Sequence, residues 1–197
     1  MNRYKQIIWV AAIALLSACH GANKDSTEKA DSVNNKFDSL NNKNGGTGDK
    51  ELSGADAKFA VEAANGGMAE VELGKLAQEK ALDPQVKSFG AMMVKDHSMA
   101  NMEMKELASS KRITLPDSIN SEEQKLKTQL SAKSGSDFDK AYVDAMVKDH
   151  QKDIAAFEEA RGKVKYPEMT VFIDKSLPML KKHLQAIESI SKKMNKR

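Results

Sequence analysis

The chain has little of what usually cross-links or rigidifies a protein. Of its 197 residues one is cysteine and four are proline, and aromatic residues make up 5%. A single cysteine excludes a disulfide within the chain. Beyond the N-terminal segment there is no second long apolar run, and the alternation of apolar and polar residues that is typical of strands is nearly absent. A membrane pore is therefore poorly supported.

The sequence also lacks the motifs that identify many enzymes and nucleic-acid-binding proteins. It contains no nucleophile motif, phosphate-binding loop or dinucleotide fingerprint, so no organic cofactor is expected and a non-enzymatic role is favoured. Lysine and arginine total 31 against 28 acidic residues, which gives a net charge of +3. The two signs are interspersed and no basic patch contains aromatic residues, so nucleic acid is not an expected partner.

The N-terminus has the pattern of an export signal. Arg3 and Lys5 precede the apolar run Ile7–Leu16, which is too short for an ordinary membrane span. Residues 1–18 are predicted to be a lipoprotein signal peptide, because the run ends in a Leu-Ser-Ala-Cys sequence that resembles the bacterial lipobox. In such signals the cysteine, here Cys19, is acylated and becomes the mature N-terminus. A plain secretory signal is the alternative.

Residues 19–52 are predicted to be the lipidated cysteine and a disordered tether. The segment is rich in Asn, Lys, Asp, Ser and Gly, with Asn44–Gly48 near its end. Its apolar residues are too sparse to offset the entropy of ordering the chain. Phe37 and Leu40 are expected to form no more than a transient turn of helix. Residues 53–197 then form one domain of ordinary size.

The domain is predicted to be all-α with four long helices. Ala, Leu, Met, Lys and Glu dominate, and apolar residues recur at intervals of three and four. Ser53 resembles a helix N-cap, and Pro84 suits the first position of the second long helix. Gly135 breaks the chain before the third, and Pro167 marks the turn into the fourth.

Two further patterns predict how these helices are connected. A short extra helix is expected between the second and third long helices, near Ser121–Ala132, where Ser121 resembles the first residue of a capping box. Pro178 lies inside the fourth and is expected to kink it. The segments Pro84–Phe89 and Pro167–Phe172 share the order Pro, polar, apolar, two residues, Phe. Two related hairpins of this kind predict a four-helix bundle.

The pentapeptide Met-Val-Lys-Asp-His occurs twice, at Met93–His97 and at Met146–His150. Both copies place a histidine inside the apolar stripe of a predicted long helix. The stripes of the other two long helices contain Glu70 and His183. Each of the four helices therefore carries one ionisable residue on the face that is expected to be buried.

The spacing of these four residues places them at one depth. Glu70 and His97 lie 14 and 13 positions from the proline that begins the second helix, and His150 and His183 lie 17 and 16 positions from the proline that begins the fourth. At about 1.5 Å per residue each side chain is roughly 20–25 Å from its turn. One carboxylate and three imidazoles are therefore predicted to meet near the middle of the bundle.

Oxygen and nitrogen ligands of this kind suit Zn, Fe, Mn or Cu. Asp96 and Asp149 each precede a histidine, so they point about 100° away around the helix. They are predicted to orient the histidines rather than to bind a metal first. Asp153, one turn farther along, is a candidate additional ligand. Glu72 replaces Glu70 as a ligand if the other face of the first helix is buried.

Two simpler interpretations compete with a metal site. A histidine in an apolar stripe is usually a core residue bonded to a carboxylate or carbonyl, so a network that holds the register of the bundle without metal is favoured. Methionines cluster around His97, and thioethers bind Cu(I), but core packing is their favoured role. They are Met92, Met93, Met99, Met102 and Met104.

These motifs together resemble the domain of unknown function 4142 (DUF4142) family of exported bacterial proteins. The resemblance implies a ferritin-like helical bundle and the description "putative outer membrane protein", and it implies no reaction. It spans nearly all of 53–193. It is carried by Phe59-Ala60, Ala63-Ala64, Gly67–Ala77, Phe89, Met93–His97, Phe138–Val143, Met146–His150 and Leu177–Leu184.

The sequence departs from ferritin-like di-iron sites, which use Glu-x-x-His on two helices. Val94, Val147 and Leu180 occupy the positions three before the histidines. Ferroxidase or oxygenase chemistry is therefore not implied, and a mononuclear site, or none, fits the ligands better.

The sequence favours a lipid-anchored, non-enzymatic protein of the bacterial envelope with a role in interaction or envelope stress. Its expected partners are the membrane, through the lipid, and an unidentified envelope protein. The expected location is the outer membrane, facing the periplasm or the surface, with the inner membrane left open. The alternative function is a metal-binding or redox protein that uses Glu70, His97, His150 and His183 in the core of a ferritin-like four-helix bundle.

Overall fold

The structure is a computed structural model that describes residues 24–43 and 53–196. All regular structure in these residues is helical, which confirms the predicted all-α class. The helices are α1 Ser26–Lys43, α2 Gly54–Lys80, α3 Pro84–Ser110, α4 Ser121–Ser131, α5 Gly135–Arg161 and α6 Pro167–Met194. No helix in the described ranges is long and apolar enough to cross a membrane. The predicted signal peptide, 1–18, and Cys19 lie outside the described residues.

The four long helices form two hairpins, as the sequence predicts. Ser53 caps α2 by accepting a hydrogen bond from the backbone N–H of Asp56, and Pro84 is at the start of α3. Helix α2 packs against α3 and α5, and α6 packs against α5 and α3. This closed set of contacts is what a four-helix bundle requires. The likeness to ferritins in particular stays a prediction.

Buried aspartates fasten each hairpin turn to the other hairpin. Asp139 of α5 accepts hydrogen bonds from the backbone N–H groups of Leu82 and Asp83, at 3.0 and 2.8 Å, in the α2–α3 turn. Asp56 of α2 accepts them from Lys165 and Tyr166, at 2.9 and 3.0 Å, in the α5–α6 turn. The two aspartates precede Pro84 and Pro167 by the same interval, which extends the hairpin repeat of the sequence.

Two glycines allow α2 and α3 to approach closely. A Cβ atom on Gly74 would lie 2.7 Å from the carbonyl oxygen of Gly90, and a Cβ on Gly90 would lie 2.7 Å from that of Gly74. Real Cβ atoms do not tolerate such distances to backbone, so side chains are excluded at this crossing. The close approach lets Glu70 on α2 meet His97 on α3.

The prediction of a disordered tether is wrong for residues 26–43, because they form α1, which packs against α2. The buried Asn34 side chain donates to the carbonyl of Thr114 at 2.9 Å and accepts from its N–H at 2.8 Å. Ser26 donates to the Asp117 carboxylate at 2.7 Å. Polar side chains on α1 therefore fix the α3–α4 connection, and the ordered domain begins earlier than residue 53.

The short helix α4 lies where the sequence predicts it, but its cap differs. Asn120, and not Ser121, is the N-cap, and its side chain accepts from the N–H of Glu123 at 2.9 Å. The N–H of Asn120 donates to the side-chain oxygen of Asn65 on α2 at 2.8 Å. This bond ties the beginning of α4 to α2. Helix α6 continues through Pro178.

The apolar core is divided into two clusters with a polar layer between them. On α5, His150 lies between Met146, in the first cluster, and Ile154, which packs on the second. On α3, His97 lies likewise between Met93 and Met104. The polar residues therefore occupy the middle of the bundle, as the sequence spacing predicts.

Candidate metal centre

The four residues singled out by spacing lie together in the core. Glu70 is 1% exposed, His97 3%, and His150 and His183 are fully buried. The imidazole centroids are 6.1 Å apart for His97 and His150, 5.3 Å for His97 and His183, and 5.5 Å for His150 and His183. The convergence predicted from sequence is therefore found in the structure, whereas the metal-ligand role stays a prediction.

One ring nitrogen of each histidine faces a protein oxygen at the outside of the cluster. Nδ1 of His150 lies 2.9 Å from the carbonyl oxygen of Met146. Nε2 of His183 lies 3.0 Å from a carboxylate oxygen of Asp96. Nδ1 of His97 lies 2.7 Å from Oε2 of Glu70. A carbonyl can only accept, so Nδ1 of His150 carries the proton, and the other two rings are held by carboxyl oxygens of Asp96 and Glu70.

The remaining ring nitrogens, the inner nitrogens of the cluster, have no hydrogen-bond partner, although Nε2 of His150 lies 3.3 Å from Oε1 of Glu70. Nε2 of His97, Nε2 of His150 and Nδ1 of His183 are buried and form no hydrogen bond. One ligand atom from each of the three histidines lies within 4.8 Å of the other two. In neutral rings with the outer nitrogens protonated, these inner nitrogens carry lone pairs. Oε1 of Glu70 is likewise buried without a hydrogen-bond partner, so it and the three nitrogens are all unsatisfied.

The surroundings keep the imidazoles neutral. Burial lowers the pKa of His97 from 6.5 to about 4. Burial, together with the charges of His97 and His183, lowers the pKa of His150 to about 3. Burial also lowers the pKa of His183, although its hydrogen bond to Asp96 opposes the change. Neutral imidazole is the form that binds metal ions.

Carboxyl groups crowd one side of the cluster. Burial raises the pKa of Glu70 well above 4.5, and the charge of Glu123 raises it further. Burial and the charge of Glu70 raise the pKa of Asp149 to about 9, and the same two causes raise the pKa of Asp153. One atom each of Glu70, Asp149 and His150 lie within 4.8 Å of one another. Asp149 is therefore closer to the cluster than the helical wheel predicts.

A cavity of about 420 Å³ adjoins these groups. Its lining includes Glu70, His97, Asp149, Asp153 and Glu123. It lies beside the histidine cluster, so the buried site has a polar space next to it. The candidate additional ligand Asp153 faces this space rather than the three inner nitrogens.

Glu72 has a different role from the one considered for it. It forms an ion pair with Lys127 of α4, and its side chain is 38% exposed. Glu70 is therefore on the buried face of α2, and Glu72 is on a face away from the histidine cluster. A carboxylate oxygen of Asp96 contacts His183 and not the neighbouring His97, and its orienting role stays a prediction.

Two residues near the site had no distinguishing signal in the sequence. Glu123 is 8% exposed, and its Oε2 has no hydrogen-bond partner. Tyr142 is fully buried, and its hydroxyl group also has no hydrogen-bond partner. Burial and the charges of Glu70 and Asp149 raise the pKa of Tyr142. Glu123 belongs to a polar short helix, so only the tertiary position of α4 shows that it is buried.

The pKa shifts predict how the stability of the metal-free protein depends on pH. The pKa values of the buried carboxyl groups are raised in the folded state, so these groups stabilise the folded state at low pH. This contribution is lost as pH rises through the folded-state pKa values, about 9 for Asp149. The pKa values of the buried histidines are lowered in the folded state, so these residues contribute stability above pH 6.5. This contribution is lost as pH falls toward the folded-state pKa, about 4 for His97. Above about pH 7 only the carboxyl effect operates.

The melting temperature of the chelator-treated protein is therefore expected to fall between about pH 7 and 9. Asp149→Asn should reduce this fall, because the amide has no charge to bury. Asp144→Asn, an exposed change on the same helix, should leave it intact. A melting temperature that is flat across this range, or an equal fall in both variants, would contradict the assignment.

Comparisons with known proteins agree with the fold. A family model described as "Domain of unknown function (DUF4142)" matches residues 28–190, a range that begins inside α1. The chain is similar to a crystal structure of a DUF305 fragment from Deinococcus radiodurans, with a TM-score of 0.64 and 11% identity over 74% of this chain and 98% of that chain. Likeness at this identity shows the fold alone. No curated protein matches the chain.

Proposed function

Because the chain belongs to the DUF4142 family, whose description names no activity, we propose a function from its own residues: it binds a divalent transition-metal ion through His97, His150 and His183. The observation that carries the proposal is the set of three buried inner nitrogens without partners. Leaving a buried polar group unsatisfied costs about 1–3 kcal/mol. A shared metal ion would satisfy all three at once.

The outer hydrogen bonds support this proposal independently. Histidines that bind metals commonly donate their other N–H group to a carboxylate or a backbone carbonyl, which fixes the tautomer and the ring orientation. Here the outer partners are Glu70, Met146 and Asp96. One ligand atom from each of the three histidines lies within 4.8 Å of the other two, which is close enough for one ion to be shared.

The ligand set favours zinc, copper or iron over magnesium or calcium, because imidazole nitrogen suits the former group. Manganese binds such nitrogen more weakly, in keeping with the usual order of affinities. Oε1 of Glu70 lies 3.3 Å from Nε2 of His150 and is available as a fourth ligand. Three nitrogens and one oxygen make up the four-coordinate set typical of zinc.

Elemental analysis of protein purified without chelator tests this function, and substitution of Asp96 is expected to reduce metal affinity only in part. We expect about one metal ion per chain in the wild type. Asp96→Ala should weaken the apparent affinity about 10–100-fold, because His183 loses the carboxylate that orients it. Asp144→Ala, on an exposed surface, is the matched control. Metal at background level in the wild type, with no binding of added Zn, Cu or Fe, would rule the proposal out.

We further propose that the protein is attached to the bacterial envelope by lipid on Cys19, at the outer membrane, where it meets an envelope protein partner. The support is the lipobox-like Leu-Ser-Ala-Cys sequence after the apolar run Ile7–Leu16. Two lipid signals or more are needed for stable anchoring, and multiple acylation of a lipobox cysteine would supply them.

The anchor is tested by mass spectrometry of the N-terminal peptide and by cell fractionation. The wild type is expected in the membrane fraction, with a mass increase from acyl chains on Cys19. Cys19→Ser should move the protein to the soluble or secreted fraction, because the acyl acceptor is gone. Identical fractionation of the two forms would contradict a lipid anchor at this residue.

A further inference from the structure

The cavity beside the histidine cluster is lined by more carboxyl groups than the cluster itself uses. Glu70, Asp149, Asp153 and Glu123 all face it, and Lys152 is the one basic residue in its lining. Asp31 and Glu62 also line the cavity, so six carboxyl groups share it with the single ammonium group of Lys152, which is an exposed residue. Acidic groups at this density in a partly enclosed space favour a cation, which would replace the protons on the buried carboxyl groups.

The geometry of α2 and α5 sets these carboxyl groups opposite one another. Gly66 and Glu70 are four residues apart, on one face of α2, and Asp149 and Asp153 are four apart, on one face of α5. A Cβ atom on Gly66 would lie 3.7 Å from a carboxylate oxygen of Asp153. Ligand atoms of Glu70 and Asp149 lie within 4.8 Å of each other. Glu70 of α2 and the pair Asp149 and Asp153 of α5 therefore line the same space.

Glu123, on α4, adds a further carboxyl group to the cavity. It is 8% exposed and its Oε2 has no hydrogen-bond partner. It lines the same cavity as Glu70, Asp149 and Asp153. The N-cap of α4 is bonded to Asn65 of α2, so the position of Glu123 is held by the fold. A buried carboxyl group without a hydrogen-bond partner in an acidic cavity is a candidate ligand for a cation.

We propose that this cavity is a second cation site, in which Glu70 and Asp149 bind a hard divalent ion such as Mn²⁺ or Mg²⁺ directly and Asp153 and Glu123 bind water molecules on that ion. Carboxylate oxygens are the ligands that these ions prefer. The cavity volume of about 420 Å³ also has room for the water molecules that small divalent ions retain. Glu70 lies at the boundary of the two sites, since its Oε2 contacts His97 and its Oε1 is the atom nearest His150.

Manganese titration followed by electron paramagnetic resonance tests the second site in the full chain. With the histidine cluster first saturated with zinc, the wild type is expected to bind about one Mn²⁺ ion. The double variant Glu123→Gln/Asp153→Asn should weaken that binding more than about tenfold, because two acidic groups that hold the water molecules on the ion become neutral. Its zinc content, measured in parallel, should be unchanged.

Glu122→Gln is the matched control, because this neighbour of Glu123 on α4 is exposed. Equal loss of Mn²⁺ affinity in the control and the double variant would overturn the proposal in favour of nonspecific attraction. So would Mn²⁺ binding that zinc displaces and that His150→Gln abolishes, because the ion would then occupy the histidine cluster. Normal zinc content without any Mn²⁺ binding would overturn the second site alone and leave the metal centre standing.

Discussion

Replacing His150 with glutamine is expected to lower the affinity for zinc or copper by more than about 100-fold, a larger loss than removal of an orienting partner produces. His150 is fully buried, and its Nε2 is one of three convergent nitrogens without a partner. Its Nδ1 is held by the carbonyl of Met146, so the lone pair on Nε2 is already aimed before an ion arrives. Such preorganisation means that the loss of this ligand is not compensated by movement of the others.

Isothermal titration calorimetry and thermal unfolding measure this effect together. A metal at 100 times its Kd stabilises the folded state by about 2.7 kcal/mol, which raises the melting temperature by about 5–10 °C for a domain of this size. The rise should be lost in His150→Gln and kept in His20→Gln, which removes the histidine outside the described residues. Circular dichroism establishes that the variant is folded. An unchanged affinity in a folded His150→Gln protein would contradict the three-histidine site.

Replacing Asp139 with alanine is expected to destabilise the domain by about 3 kcal/mol, because two backbone N–H groups lose their acceptor and each unsatisfied group costs about 1–3 kcal/mol. The Asp139 carboxylate is 3% exposed and accepts from Leu82 and Asp83 in the turn between α2 and α3. This turn sets the register of the hairpin that carries Glu70 and His97. Loss of these two hydrogen bonds therefore affects the histidine cluster as well as the free energy of unfolding.

Chemical denaturation measures the change, and the midpoint of thermal unfolding should fall by about 6–12 °C. Asp144→Ala is the matched control, an exposed aspartate on the same helix, and should change the free energy of unfolding by no more than about 0.5 kcal/mol. If both variants have equal stability, the aspartate does not hold the hairpin turn. Asp56→Ala should behave like Asp139→Ala, because the two residues hold equivalent turns.

The helices and the depth of the polar layer could be predicted because both follow from local rules. Intervals of three and four identify the buried faces, and Pro84 and Pro167 mark the hairpin turns from which depth is counted. A constant rise per residue then places Glu70 and three histidines at one level. Their meeting in the core is therefore a consequence of spacing that one sequence is enough to reveal.

The contacts of α1 and α4 could not be predicted in this way, because they depend on polar groups in tertiary contact. Asn34 on α1 pairs with the backbone of Thr114, about 80 residues away, and composition alone favours disorder for such a segment. Glu123 is buried only because α4 lies over the cavity between α2 and α5. Asp149 is nearer the cluster than predicted because a helical wheel of one helix does not show where Glu70 of the neighbouring helix lies.

The most direct test of the metal centre is the anomalous scattering of crystals of the zinc-loaded protein, measured on both sides of the zinc absorption edge. One strong peak is predicted in the core, at about 2.0–2.1 Å from Nε2 of His97, Nε2 of His150 and Nδ1 of His183. Oε1 of Glu70 or a water molecule should complete the coordination. Absence of a peak at this point, with zinc found only at surface carboxylates or histidines elsewhere, would show that the three histidines are a structural network.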